Sequence, residues 1–493
     1  MSAEAIVTYL NIVLYAVSYQ LQRPVEPYLV RSLIRNNGGE EGLSEGEESS
    51  ANATYGKLTS FFSLIQTIGS PLVGILLDRV GPRRTSVLVY AASALSYWIL
   101  SNATTPAWLY WSKVPTLLQH AFLVGQATVA TLPDVDGEES ASKRAAALGR
   151  MTTAYTIGAT LGPALGGYLA SGSDLYAGAR LAVWGSLASV LLSIVYLKDH
   201  RGENSGEEKR CRGEDGSSSR TAQGEDVSFL KSALKSLRYL LHPIIGPLLF
   251  VKLLNGISSS AFTTILPLIL ANKLNFTTSQ LGLFYSASSL TVAAFSAVGM
   301  VPVMSYVGNK SDRLAHAGIG CRLVSMVLFG IVGSRVMLAA LTVLTSEVDG
   351  AKASNVGLAL TTLTSVAVSL SSHVHATALT TLTTGTVSPD ERGTILGLEH
   401  GLFSFARIIG PPLGTSLLSR GPSMAFGFIA TGAEGLWMVI AVCVIMDIAL
   451  MACLNVWSSR SSIIESNSMQ HLILFPKSYR PLLEVDSDKD HSD

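Results

Sequence analysis

The sequence predicts an all-α membrane protein in which twelve transmembrane helices form two pseudo-symmetric six-helix halves. Three observations carry that reading. Charge is scarce: 14% of the 493 residues are Asp, Glu, Lys or Arg, where soluble domains average about 25%. Apolar stretches long enough to cross a bilayer, which takes about 20 residues, recur twelve times along the chain. The fifth and eleventh of them match one another without a gap.

In order, the apolar stretches cover 6–34, 56–77, 85–102, 107–132, 146–170 and 180–197, then 246–271, 280–305, 323–345, 356–382, 394–418 and 433–456. Stretches nine to eleven have the softest edges. The tenth, for example, is rich in Ser and Thr, whose hydroxyls bond to backbone or to neighbouring helices inside a packed bundle. The domains expected are therefore an N-terminal half (1–197), a linker (198–240), a C-terminal half (241–456) and a tail (457–493). The linker opens with HRGENSGEEKRCRGEDGSSSRTAQGED, polar and mixed in charge, which reads as disordered. SFLKSALKSLRYLL follows, with Lys231, Lys235 and Arg238 opposite an apolar face. That pattern suits a short helix lying on an anionic membrane surface, or equally a solvated linker helix.

Orientation is read from Lys and Arg. With both termini in the cytoplasm, the inner loops hold Arg79, Arg83, Arg84, Lys143, Arg144, Arg150, Lys310, Arg313, Arg322, Arg392 and the basic linker residues. The outer loops hold only Arg35, Lys57, Arg180, Lys273, Lys352 and Arg420. The first stretch alone runs against this bias, with Arg31 and Arg35 at its outer end. The sequons at Asn52, Asn102 and Asn275 fall outside, and Asn52, the one in a loop long enough to look accessible, is the glycosylation candidate. A plasma membrane or an endomembrane fits equally well.

Several function classes are excluded or unsupported. Net charge is zero, so no affinity for nucleic acid is expected. Cys211, Cys321, Cys443 and Cys453 match no zinc spacing and none lies in a segment placed outside, so neither a metal nor a disulfide is expected. The N-terminus lacks a basic n-region and runs straight into an apolar stretch, so no cleavable signal is expected. No phosphate loop occurs, so no nucleotide cofactor is expected. No paired catalytic constellation stands out, so an enzyme is not expected.

The internal match aligns RAAALGRMTTAYTIGATLGPALG (144–166) with RGTILGLEHGLFSFARIIGPPLG (392–414). A weaker echo aligns Pro27-Tyr-Leu-Val with Pro267-Leu-Ile-Leu, so span n pairs with span n+6. Parallel repeats of this kind mark transporters that rock two halves about a site near the midplane. Gly158, Gly162 and Gly166 recur every four residues, with Gly167 beside them, and Gly410 and Gly414 repeat the strip. Small residues at this spacing let helices approach closely. Pro163 and Pro411 each remove a backbone bond at the same depth, which predicts a paired hinge.

At the inner end of the second span stands GILLDRVGPRR, with Gly74, Asp78, Arg79, Gly81, Arg83 and Arg84. It resembles the signature between spans two and three of the major facilitator superfamily. The Gly-Pro-x-x-Gly-Gly of span five is similar to the motif of that superfamily's drug/proton antiporter branch. SKVPTLLQH (112–120), KRAAALGR (143–150), LLFVKLLN (248–255) and GTILGL…ARIIGPPLG (393–414) resemble organic-cation-transporter-like members of solute carrier family 22. The resemblance implies a twelve-helix transporter working by alternating access, with organic cations or drugs as substrates. Asp78 would pair with a basic residue of a neighbouring loop and latch the halves, while Gly74 would let another helix pass closely. The second half keeps Gly299 and Gly308 but has no Asp at the matching place, so the latch is expected to be asymmetric.

An ionisable group within a span is a functional candidate. Arg23 and Glu26 lie three apart in span one and would pair; Lys113 and His120 lie in span four. Lys113 stands where the superfamily has an Arg linked to proton coupling. Lys252 lies in span seven, Arg335 in span nine, His373 and His375 in span ten, Glu399, His400 and Arg407 in span eleven, and Asp447 in span twelve. Lys113 and Lys252 have a bland reading as snorkelling side chains. Glu399 and His400 have one as residues at the inner water boundary, and Asp447 as half of a structural pair. The cavity set expected is Arg23, Glu26, Lys113, His120, Lys252 and Arg407. Glu26 is flanked by Pro24 and Pro27, and Arg407 has Ala159 as its repeat partner.

The expectation is a monomeric secondary transporter whose partners are a small organic solute, membrane lipid and protons, with Glu26 exchanging a proton for an organic cation. The residues leave an organic anion or zwitterion open, since cations outnumber acids in the set. A sensor or scaffold on the same fold is the alternative of another class. Tyr479-Arg-Pro-Leu482 in the tail is similar to a tyrosine-based sorting signal.

Overall fold

A computed structural model of the protein describes residues 3–35, 45–130, 140–172, 174–197, 238–272, 275–308, 310–332, 350–387, 392–419 and 434–468. Among these residues no strand occurs. The first half comprises α1 (Ala3–Leu21) and α2 (Glu26–Arg35), which share span one, then α3 (Glu45–Val80) and α4 (Pro82–Ser101). Span four is α5 (Pro106–Lys113), a 3₁₀ turn (Val114–Leu118) and α6 (Ala121–Ala130); α7 (Ser140–Ala170) and α8 (Ala177–Tyr196) complete the half. The second half comprises α9 (Ile245–Asn272), then α10 (Thr278–Ala294) continued through a π turn (Phe295–Gly299) into α11 (Met300–Tyr306). After these come α12 (Ser311–Val332), α13 (Gly350–Gly385), α14 (Arg392–Ser419) and α15 (Glu434–Ser468).

The chain is folded inside out relative to a soluble protein. Helix α8 buries Gly178, Ala179, Ala182, Ser186, Ser189 and Ser193. It exposes Leu181, Trp184, Leu187, Leu191 and Ile194, which recur at helical spacing. Only a lipid surround stabilises that face, and small residues on the inner face let backbones pack where lipid gives no hydrophobic push. Among the described residues, six helices are both long and apolar enough to cross a membrane, including α8, α9 and α12. The other spans fall short for visible reasons: spans one and four are broken by prolines, and α13 is interspersed with Thr and Ser.

The ninth span corrects the sequence reading. It was expected over 323–345, but α12 begins at Ser311 and ends at Val332; residues 333–349, with Arg335, lie outside the described residues. Arg322, assigned to an inner loop, is therefore inside a span and fully buried. Hydropathy misplaces it because a window average cannot see the Asp447 carboxylate that neutralises it from α15. Helix α15 also continues past residue 456 to Ser468. Residues 198–237 and 469–493, with most of the amphipathic linker segment and the Tyr479 motif, lie outside the described residues.

The glycine strips pack as the repeat implies. Gly158, Gly162 and Gly166 of α7 lie against Val13, Ala16, Val17, Gln20 and Leu21 of α1. Gly410 and Gly414 of α14 lie against Ile257, Ser260, Ala261 and Ile265 of α9. Span five thus rests on span one as span eleven rests on span seven. Gly167 does something different: it meets Thr278 and Gly282 of α10, joining the two halves backbone to backbone. Pro163 and Pro411 sit within continuous α7 and α14. The Ala164 N–H, beside Pro163, donates to Ser286 Oγ of the other half at 2.9 Å. Gly74 is a correction, because among the described residues a side chain there would meet nothing within 4 Å.

The halves join toward one end. Tyr28 donates to the Phe276 carbonyl oxygen, and Arg31 donates to Asn272 at 3.2 Å. Thr278 donates to the Gly167 carbonyl at 3.2 Å, and Ser60 donates to the Ile408 carbonyl at 2.5 Å. Toward the other end the apolar side chains Val298, Val301 and Tyr306 stand exposed, and a side chain at Gly149 or Gly401 would meet nothing within 4 Å.

Candidate functional site

Two broken helices build the site. In span one, Pro24 interrupts α1, and the chain turns through residues 22–25 before α2 restarts; the Glu26 N–H donates to the Gln22 carbonyl at 2.9 Å. In span four, Pro115 stops α5 and the helix tightens to a 3₁₀ turn. Carbonyls freed there are taken by side chains: Gln66 donates to the Thr116 carbonyl at 2.8 Å and Ser96 to the Ser112 carbonyl at 2.7 Å. Non-helical backbone at membrane depth is tolerated where protein or a cavity satisfies it. The two breaks meet: Lys113 Nζ lies 2.6 Å from Glu26 Oε1, and the ammonium stands 5.5 Å from the Phe62 ring centroid.

This pair forms part of the wall of a central cavity of about 330 Å³. Gln20, Gln22, Arg23, Tyr19, Phe62 and Tyr97 line it from the first half; Ser259, Ser260, Thr263, Phe403 and Arg407 line it from the second. A second lobe of about 780 Å³ shares Arg23, Ser259 and Thr263 with the first and extends along Thr152, Ala159, Phe284, Tyr285, Ser296 and His373. The guanidinium of Arg23 lies over the Tyr285 ring at 4.4 Å, a cation–π contact across the halves. Arg23 and Glu26 were expected to pair with each other. The break at Pro24 removes the helical register that expectation assumed, and each turns to a different helix.

Of the six side chains expected in the cavity, Arg23, Glu26, Lys113 and Arg407 line it. His120 is a correction: it stands at the start of α6 and packs against Gly69 of α3, off the cavity wall. Lys252 is another. It forms an ion pair with Glu399 and donates to Thr380 at 2.8 Å inside the second half. Glu399 also accepts from Thr383 and is buried, 7% exposed. A buried group that sequence reasoning missed is Arg322. Its Nε donates to Asp447 Oδ2 at 3.0 Å, its Nη2 pairs with Oδ1, and its Nη1 donates to Asn255.

The loop signature is set by backbone geometry. Gly81 adopts φ 90° and Gly308, its counterpart in the second half, φ 72°, left-handed values that glycine takes without strain. Gly81 lets α3 end and α4 begin at Pro82, where a proline is tolerated. Arg83 donates to the Ile194 carbonyl of α8 at 2.7 Å, within its own half. Arg79 and Arg84 are exposed; the Asp78 side chain lies outside the described residues. Asn52 reverses its expectation. It lies in helix α3 rather than a long loop, is 5% exposed, and accepts from Asn272 at 3.4 Å across the halves.

Two six-helix halves around a polar cavity, joined toward one end, define a membrane solute transporter. The chain belongs to the Major Facilitator Superfamily, whose family model matches residues 8–377. It is 24% identical over 440 residues to Solute carrier family 22 member 18 of Mus musculus, spanning 86% of this chain and 91% of that protein. It is 27% identical over 333 residues to Tetracycline resistance protein, class G, of Vibrio anguillarum, spanning 67% of this chain and 76% of that protein. A bacterial homolog to the human lysosomal transporter Spinster, solved inward-facing and occupied, shares the fold with TM-score 0.62 at 16% identity, over 92% of this chain and 96% of that one.

Proposed function

We propose that the protein moves a small organic solute by alternating access and couples it to protons at the Glu26–Lys113 pair. The observation that supports this reading is the meeting of two discontinuous helices at an ion pair in the cavity wall. Discontinuous spans are where transporters of this architecture place solute and coupling-ion sites. A relative named for tetracycline resistance supports an organic solute and outward movement. The excess of Lys and Arg in the loops between spans two and three, four and five, and eight and nine supports a cytoplasmic side for the open end and both termini.

The pair ties the sign of the coupling to the charge of the solute. A proton on Glu26 abolishes the ion pair and leaves Lys113 as unbalanced positive charge in the wall. A cationic solute competes with that proton, which yields exchange. An anionic solute is favoured by it, which yields co-movement. The purified protein in liposomes, under a pH gradient imposed in either sense, is screened over labelled organic cations, anions and zwitterions. Gradient-dependent flux of at least one class is expected, and Glu26→Gln is expected to carry solute without responding to the gradient. Full gradient dependence in that variant overturns the coupling role. Absence of gradient-driven flux for the whole panel overturns transport in favour of a sensor on the same fold.

A further inference from the structure

Four ionised side chains line the smaller lobe: Arg23, Glu26, Lys113 and Arg407. Glu26 and Lys113 neutralise one another. Neither Arg23 nor Arg407 has a carboxylate partner among the described residues. The contrast with the rest of the bundle is plain, because Lys252 is paired with Glu399 and Arg322 with Asp447. Beside the two arginines, the side chain of Gln22 contributes to the same wall. Positive charge held in a low-dielectric space without a counter-charge is costly unless a ligand supplies one.

The repeat adds direction. Arg407 and Ala159 occupy equivalent positions, and each lines one lobe. Positive charge is thereby placed in the smaller lobe, while the larger one offers Phe262, Leu266, Phe284, Val292 and Met326. We propose that the cavity binds an organic anion, its carboxylate held by Arg23 from one half and Arg407 from the other, and its apolar body in the larger lobe. The proposal rests on the transport reading and names the substrate class for the same cavity. An organic cation meets two unbalanced guanidiniums there, and the one carboxylate that could receive it is already taken by Lys113.

The test measures equilibrium binding of 1-naphthoate, its neutral amide and 1-naphthylmethylammonium to the purified full chain, with no gradient applied. Naphthoate is expected to bind at least about tenfold tighter than the other two. Arg23→Gln and Arg407→Gln are each expected to weaken naphthoate about tenfold, the loss of one charge-assisted contact, while Arg407→Lys keeps part of the affinity. Ammonium binding equal to that of naphthoate, no naphthoate binding up to about 10 mM, or unchanged affinity in Arg407→Gln overturns the proposal. Because no flux is measured, loss of the carboxylate preference speaks against the anion alone, and loss of gradient-driven flux speaks against transport alone.

Discussion

At the scale of single residues, the buried triad Arg322–Asp447–Asn255 decides how the second half tolerates charge. Both ions are 0% exposed and ties run to α9, α12 and α15 at once. Removing one partner leaves an uncompensated charge in a dry bundle, which costs about 3–5 kcal/mol. Asp447→Ala is therefore expected to lower the unfolding midpoint in detergent sharply. The double variant Arg322→Met, Asp447→Leu is expected to recover most of the loss, because well-packed apolar side chains replace buried pairs with little penalty. A double variant as unstable as the single one counts against charge neutralisation as the triad's role. The sequence made Asp447 visible only as half of a structural pair; its partner was hidden because Arg322 read as a loop cation. An ion pair contributes nothing to local hydropathy, so its existence becomes legible only when three distant helices are brought together.

At the scale of elements, the repeat was legible and the breaks were not. Gly-Pro spacing set the register of α7 on α14, and packing follows the same rule in both halves. The span-one and span-four breaks come from Pro24 and Pro115, yet their consequence, that Glu26 meets Lys113 and not Arg23, depends on how two interrupted helices face each other. The repeat also locates a substitution between halves. Lys252 and Glu399 align with Ile12 and Met151, which lie together against Gly125. An ion pair in one half thus stands where an apolar contact serves in the other. Lys252→Ile with Glu399→Met is expected to fold with a midpoint near that of the native chain, whereas either change alone destabilises by leaving a buried ion unpaired. Thermal unfolding of the three variants checks it. Gly162→Val is expected to reduce folded yield, since its Cβ would lie 2.6 Å from that of Gln20 and α1 would have to move.

At the scale of the whole molecule, the contacts toward one end set what chemistry reaches the chain. Asn52 is held by Asn272 where the halves meet. A glycan there would hold them apart, so Asn52→Gln is expected to leave the glycosidase-sensitive mobility of the cellular protein unchanged; a loss of mobility shift in that variant overturns the reading. The Arg23–Tyr285 contact has a kinetic consequence. Rocking the halves to open the joined end must draw the guanidinium off a ring that belongs to the other half. An empty carrier makes that passage with nothing to receive the charge, whereas a bound carboxylate travels with Arg23 and takes the ring's place. Return of the unloaded protein then becomes the slow step of the cycle. Labelled solute inside a vesicle should leave much faster when unlabelled solute waits outside than when the outer solution is bare.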